Sequence, residues 1–356
     1  MERARLREIV EKLNQEEGRK SYRKYELAED VPEERIQSAI ETYAQGARPE
    51  DVVALLDTTL RKNGRDGFLI TESRIYGKCL DNAPIDLDKV RFAALTRADV
   101  PKAVVVLQDG TVREPRNFTE LKRELSFFVE LTGHELVDSR PDSGGFYQRY
   151  GASLRRRIKE IIERHSERNS SYRLAESEEP GLLENLIVKS GADLCPEKIV
   201  VVHNADEEMA AGRNGAFFTE HAYYECYYSH KNVEPISYMG LQAIVPSARN
   251  AYSSLLIYRN GYVQEWCHMG WEETTEDQEL LREITAVLQE MEEHPPLEEE
   301  EGLFSIKGWK EFADRRNEGA LETYKNSVFV SSTFKDMHFE RDAIHEKVLP
   351  VLNKAG

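Results

Sequence analysis

The residues whose types and spacing could do chemistry fall in three places along this 356-residue chain. Near the C-terminal end, Ser331, Ser332 and Thr333 form a polar loop after a short apolar run. Asp336, Glu340, Arg341 and Asp342 follow on a helical pattern. The hydroxyl run reads as a structural or ligand-contact loop rather than a catalytic one, and Glu340 has Arg341 or Lys335 to pair with. In the second place, Arg65 lies within Gly-Arg-Asp-Gly at 64–67 and Arg213 within Gly-Arg-Asn-Gly at 212–215. An anionic headgroup needs several converging cations. Arg61 and Lys62 stand near Arg65, but Arg213 has Glu207 and Glu208 beside it. Solvated loops with glycines for tight turning are therefore the better reading, and protein docking through the sheet edge or the groove beside the helix is the better functional one. Thirdly, Cys226, Cys267, His221 and His268 are a conceivable zinc set, but no pair has knuckle spacing. No Ser/His/Asp or Cys/His order and no P-loop occurs, so neither catalytic residues, nor a metal, nor a cofactor is expected.

The bulk properties narrow the partners. Lys and Arg number 48 against 65 Asp and Glu, a net charge of −17. Such a charge disfavours general nucleic-acid binding and adsorption to anionic lipid. No apolar run approaches the length of a membrane span, and the charged start MERARLREIVEKLNQEEGRK is no secretory leader. The four cysteines, at 79, 195, 226 and 267, lack any regular spacing. Free thiols in a reducing, cytoplasmic setting are the expectation.

The elements that must position these residues come in two copies. Residues 64–76 read GRDGFLITESRIY and residues 212–224 read GRNGAFFTEHAYY. A Pro-Glu start and an apolar run precede each, from Pro49 and from Pro196. An X-Pro-Ile segment follows each, from Ala83 and from Glu234. The run VVALL is ambiguous alone, but its counterpart IVVV is β-branched, which predicts a strand in both. Asp109-Gly110 and Asn260-Gly261 predict two-residue type I′ hairpins. Amphipathic helices are predicted at 118–132, with an Asn117/Glu120 capping box and Gly133 as terminator, and at 275–293. Each module is then a strongly bent antiparallel sheet of six or seven strands plugged by its last helix. Helices at 1–14 and 32–45 read as a small N-terminal cap or docking element, and one at 146–166 as a connector. The polar segments 167–181 and 294–302 read as linkers.

The pattern Gly67, Phe68, Leu69, Ile70, Thr71, Ile75, Tyr76, with Gly215, Phe217, Phe218, Thr219, Tyr223, Tyr224 in the second copy, resembles bacterial pleckstrin-homology-like and GRAM-like domains. The wording VFVSSTFKDMHFERD at 328–342 is similar to the TIR-like domain of unknown function that precedes NACHT modules in STAND signalling proteins. These resemblances imply an α+β chain. An N-terminal helical element (1–47) leads into PH-like module 1 (48–135), then a connecting helix and linker (136–180) and PH-like module 2 (181–293). An acidic linker (294–306) leads to the start of a flavodoxin/TIR-like α/β unit (307–356), predicted as a helix at 307–324, a strand at 328–330 and a helix at 337–352. A doubly wound sheet needs more than one βα unit, so the expectation is a fragment or a truncated frame of a longer protein. The implied function is a non-catalytic sensing or docking region, of prokaryotic antiviral defence, whose partner is a protein or downstream domains of the same chain. The alternatives are a TIR-like NAD hydrolase, taking a small nucleotide, whose catalytic part lies beyond residue 356, and phosphoinositide binding.

Overall fold

The computed structural model describes residues 2–16, 24–80, 83–98, 101–115, 121–166, 172–203, 215–226, 234–267 and 273–294. The chain divides into two compact units, Met1–Pro295 and Pro296–Gly356. The segment from 295 onward lies outside the described residues, and with it the expected TIR-like start.

The first copy runs α1 (Arg3–Glu16), β1 (Tyr25–Leu27), α2 (Glu33–Thr42), β2 (Val52–Asp57), β3 (Gly67–Thr71), β4 (Arg74–Gly77), β5 (Ile85–Asp86), β6 (Val90–Arg97), β7 (Ala103–Leu107), β8 (Val112–Arg113) and α3 (Leu121–Thr132). The second repeats that order as α4 (Phe146–Ser166), β9 (Tyr172–Leu174), α5 (Pro180–Ser190), β10 (Ile199–His203), β11 (Gly215–Thr219), β12 (Ala222–Cys226), β13 (Ile236–Ser237), β14 (Leu241–Pro246), β15 (Ser253–Tyr258), β16 (Val263–Cys267) and α6 (Glu273–Glu293). The molecule is thus mixed α and β. The repeat begins earlier than the sequence reading placed it, at α1 and α4.

The two N-terminal helices are layers of the first copy, not a cap beside it. Sheet β1-β2-β3-β4-β5 carries α1 and α3 on one face, through Leu6, Val10, Leu125 and Phe128 against Val53, Leu56 and Ile70. It carries α2 on the other, through Ile36, Ala39 and Tyr43 against Val52, Leu55 and Leu69. Strands covered on both faces read as unbroken apolar runs, which is why β2 and β10 are buried at every position. A bulge between Val52 and Ala54 recurs between Ile199 and Val201. It puts two successive residues on the same core, Val53 with Ala54 and Val200 with Val201. An arginine clamp also recurs. Arg3 donates to the carbonyls of Glu50 and Val52 and to Glu72; Arg155 donates to the carbonyls of Lys198 and Ile199 and to Glu220.

Segment 167–181 is not a linker along its length. Tyr172–Leu174 pairs with β10, with Tyr172 opposite His203, and α5 starts at Pro180. Burial of Tyr172 outweighs the polar composition around it. The hairpin turns also differ from expectation. Gly110 and Gly261 have φ of +84° and +90°, whereas Asp109 and Asn260 do not have positive φ. The amides of Gly110 and Gly261 donate to the carbonyls of Leu107 and Tyr258, three residues back. These are type I turns closed by a left-handed glycine, which need positive φ at one position instead of two. Gly133 ends α3 as expected, its amide donating to Val129; the Asn117/Glu120 box lies outside the described residues.

Each copy therefore holds two sheets rather than one bent one. The second sheets of the two copies join in the order β14-β15-β16-β6-β7-β8, where β16 runs parallel to β6 through Val263–Thr96 and Gln264–Arg97. At the opposite seam Glu114, just past β8, accepts from Ser247 Oγ at 2.9 Å and from the Ala248 amide, and its carbonyl accepts from Arg249. Strand register makes Phe92 equivalent to Ala243, Ala94 to Val245, Val104 to Leu255, Val106 to Ile257 and Val112 to Val263. All ten pack in one apolar core. The same patch of each copy meets the other, which is the defining property of an isologous interface. Arg91 and Gln242, also equivalent, touch each other at 2.7 Å.

Candidate functional site: a buried carboxylate, histidine and tyrosine cluster

The polar groups that depart most from an ordinary core sit in the second copy. His203 ends β10, and its ring stacks on Tyr172 of β9 with centroids 4.3 Å apart. Tyr223 and Glu225 are two residues apart on β12, so they project from the same face. Trp266 comes from β16 and Asp277 from the early part of α6. All six side chains are buried.

They are bonded mainly to one another. Asp277 Oδ1 accepts from the Tyr172 hydroxyl at 2.6 Å and lies 3.1 Å from His203 Nδ1. Asp277 Oδ2 lies 2.8 Å from the Tyr223 hydroxyl, and that hydroxyl lies 3.1 Å from Glu225 Oε1. Glu225 Oε1 accepts from Trp266 Nε1 at 2.7 Å. Proton counting assigns the charges. Tyr223 has one proton and faces two carboxyls, so one carboxyl must donate to it. Asp277 already has the Tyr172 hydroxyl and the His203 ring beside it, and is the better stabilised anion. Glu225 is the one that carries the proton. Burial pushes the Glu225 carboxyl up to about 8, and the nearby Asp277 charge adds to it. The bonds from Trp266 and Tyr223 and the charge of His203 oppose the shift without cancelling it.

Among the described residues the first copy has no such cluster. Register places Leu56 where His203 stands, Ile75 where Tyr223 stands and Gly77 where Glu225 stands; only Tyr25 matches Tyr172. The exchange conserves volume across one strand pair. Phe68 faces Gly77 in the first copy and Ala216 faces Glu225 in the second. A Cβ on Gly77 would lie 2.8 Å from the Phe68 ring, so the large residue sits on one strand or on the other. The sequence signal for the cluster was available in the alignment of the copies: a charged or ring-nitrogen residue in one copy where the other is apolar. Tyr25-Glu-Leu-Ala-Glu and Tyr172-Arg-Leu-Ala-Glu, shared at the start of each copy, were the unused anchor for that alignment.

The residues singled out by sequence are dispersed. Arg65 is exposed on the loop between β2 and β3, its amide donating to Asn63 Oδ1 at 3.2 Å. Lys62 lies 3.6 Å from Glu26 and donates to the Asp57 carbonyl, while Arg61 is exposed. The organiser of this loop is the buried Asp57, which accepts from Thr59 N and Oγ1, Gly64 N and Arg35. Burial works to raise its carboxyl, but these donors and the Arg35 charge hold it below the ordinary value. Gly64, at φ +71°, has Arg35 O where a Cβ would stand, so glycine here serves the turn. Arg213, Ser331, Ser332, Thr333, Asp336, Glu340 and Arg341 lie outside the described residues, as does His268 of the zinc set. Among the described residues no group of His, Cys, Asp and Glu is arranged to hold a metal ion, and no helix is long and apolar enough to cross a membrane. Comparison of the whole chain with protein-family models, curated proteins and solved structures returned no match.

Proposed function

We propose that the tandem unit is a sensing and docking region of a STAND-type signalling protein, built from two PH-like modules and working by protein contact rather than catalysis. The observation that carries the reading is the fate of the ionisable groups. Glu225 and Asp277, carboxyls suited to acid–base work, spend their hydrogen bonds on Tyr172, Tyr223 and Trp266 inside a core, and the His203 ring is stacked on Tyr172 there. Support for PH-like modules comes from the strand count. Within each copy a four-strand meander, β2 to β5 or β10 to β13, is followed by a three-strand meander and a closing helix. The PH-like identity, the TIR-like identity of residues 328–342 and a place in antiviral defence belong to this proposal.

The test is a reciprocal pull-down with the full chain in its native host, under phage challenge and without it, followed by reconstitution of any pair from purified components. A defined complex in size-exclusion chromatography supports the proposal. Nicotinamide release from NAD by the full chain, with no reconstituted complex, would overturn it in favour of hydrolysis.

A further inference from the structure

Five elements of the second copy meet at the cluster, and each contributes one side chain or two. Among the described residues the titratable groups facing Glu225 are Tyr223 from its own strand, His203 from β10 and Asp277 from α6; β16 contributes Trp266, and Tyr172 of β9 stands behind Asp277. The bonds join these elements in one line. Trp266 on β16 reaches Glu225 on β12, Glu225 reaches Tyr223, Tyr223 reaches Asp277 on α6, and Asp277 reaches Tyr172 on β9. α6 is the helix that leads the chain out of the second copy, ending at Glu293 before Pro295 closes the compact unit.

We infer that this line is a proton-operated latch, in which a neutral Glu225 carboxyl ties β12 and β16 to the start of α6 and loss of its proton releases them. The geometry needs the proton. With Glu225 ionised, one Tyr223 hydrogen stands between two anionic carboxylates and can satisfy only one of them. The other faces the phenol oxygen lone pairs and a neighbouring like charge, in a core with no solvent to screen it. The line breaks at its middle, between Tyr223 and Glu225. Asp277 keeps Tyr172, so the separation falls between β12 with β16 on one side and α6 with β9 on the other. Among the described residues the first copy has Leu56, Ile75 and Gly77 at the matching positions and only Tyr25 in common with the cluster, so it holds no carboxyl or imidazole there. The latch operates whichever partner the unit docks.

The experiment is a titration of the full chain from pH 6 to pH 10. The emission of Trp266, isolated by difference from Trp266→Phe, is followed with hydrogen exchange of the early part of α6. The expected result is a one-proton transition near pH 8, with faster exchange in α6 on the alkaline side and none of this in α3. Glu225→Gln, close in shape but with no carboxyl proton to lose, abolishes the transition. Infrared difference spectra of the wild type give an independent reading: a protonated-carboxyl band at pH 7 that vanishes by pH 10. A wild type lacking that band at pH 7, or a transition that persists in Glu225→Gln, overturns the latch. If Glu225→Gln does not fold, the wild-type band alone decides.

Discussion

The exchange of bulk between Phe68–Gly77 and Ala216–Glu225 makes a quantitative prediction. Ala216→Phe alone drives a ring into space that the Glu225 side chain fills. Overpacking of this kind costs about 1–3 kcal/mol. Glu225→Gly alone empties that space, strands the buried Trp266 N–H at about 1–3 kcal/mol, and adds roughly 0.5–1 kcal/mol for glycine in a strand. If the two positions are the register equivalents described above, the double variant lets the new ring occupy the vacated volume, as Phe68 does over Gly77. The overpacking and cavity terms then cancel, while the stranded indole and the strand glycine remain. A double-mutant cycle should show a favourable coupling of about 1–3 kcal/mol between the two substitutions. The assay is equilibrium denaturant unfolding of the four proteins, with m-values compared to confirm a common unfolded reference. Additive effects, with coupling indistinguishable from zero, would refute the claim that one strand pair traded its large residue between strands.

Three further outcomes follow from the same geometry. Glu225 has a raised native value of about 8, so the folded state holds its proton more tightly than the unfolded chain. Its contribution is whole below about pH 4.5 and is lost as pH rises to about 8, at about 1.4 kcal/mol per pH unit; Glu225→Gln should remove that slope from a urea-stability profile, and an unchanged slope would count against it. Ile257→Ala, in the shared core between the copies, should cost about 2–5 kcal/mol. Hydrogen exchange should quicken in β7 of the first copy as well as in β15, and a response confined to β15 would contradict a common core. Arg155→Lys should destabilise nearly as much as Arg155→Ala, because a point charge cannot reach two carbonyls and Glu220 together; rescue by lysine, read in thermal unfolding, would show that charge alone holds α4.

The duplication was legible in the sequence because its carriers are backbone requirements. Glycines at 64, 67 and 215, the threonine pair Thr71 and Thr219 and the two hairpin glycines fix turns and edges that tolerate few alternatives. The apolar stripes of α1, α4 and α6 were equally plain, since burial on one helical face leaves a three-to-four spacing. Strand β9 was not legible: three residues between polar neighbours have no periodicity to show, and only the packing of Tyr172 makes them a strand. Nor was the join between the copies. Val104, Val106, Leu255 and Ile257 alternate with core residues of their own copies, so the strands read as buried on both faces without saying what lies beyond the second one. The cluster was hidden for a different reason. Its members are spread from Tyr172 to Asp277, and no local spacing links residues that only the sheet brings together.

The two copies diverge unevenly, and the unevenness has a physical logic. The surface where they meet is held apolar in both, because each residue there must pack against the other copy; Phe92 with Ala243 and Ala94 with Val245 differ in size but not in character. The space around Leu56 and His203 answers only to its own copy. A change there needs compensation within one module, as Ala216 compensates Glu225, and leaves the join untouched. A fused pair can therefore keep one copy as an inert frame while the other acquires ionisable groups. Two separate chains with one sequence could not do this, since every substitution would appear in both halves. The first copy, apolar at these positions, gives the second a fixed base against which a protonation change in β12, β16 and α6 becomes a displacement rather than a general loosening.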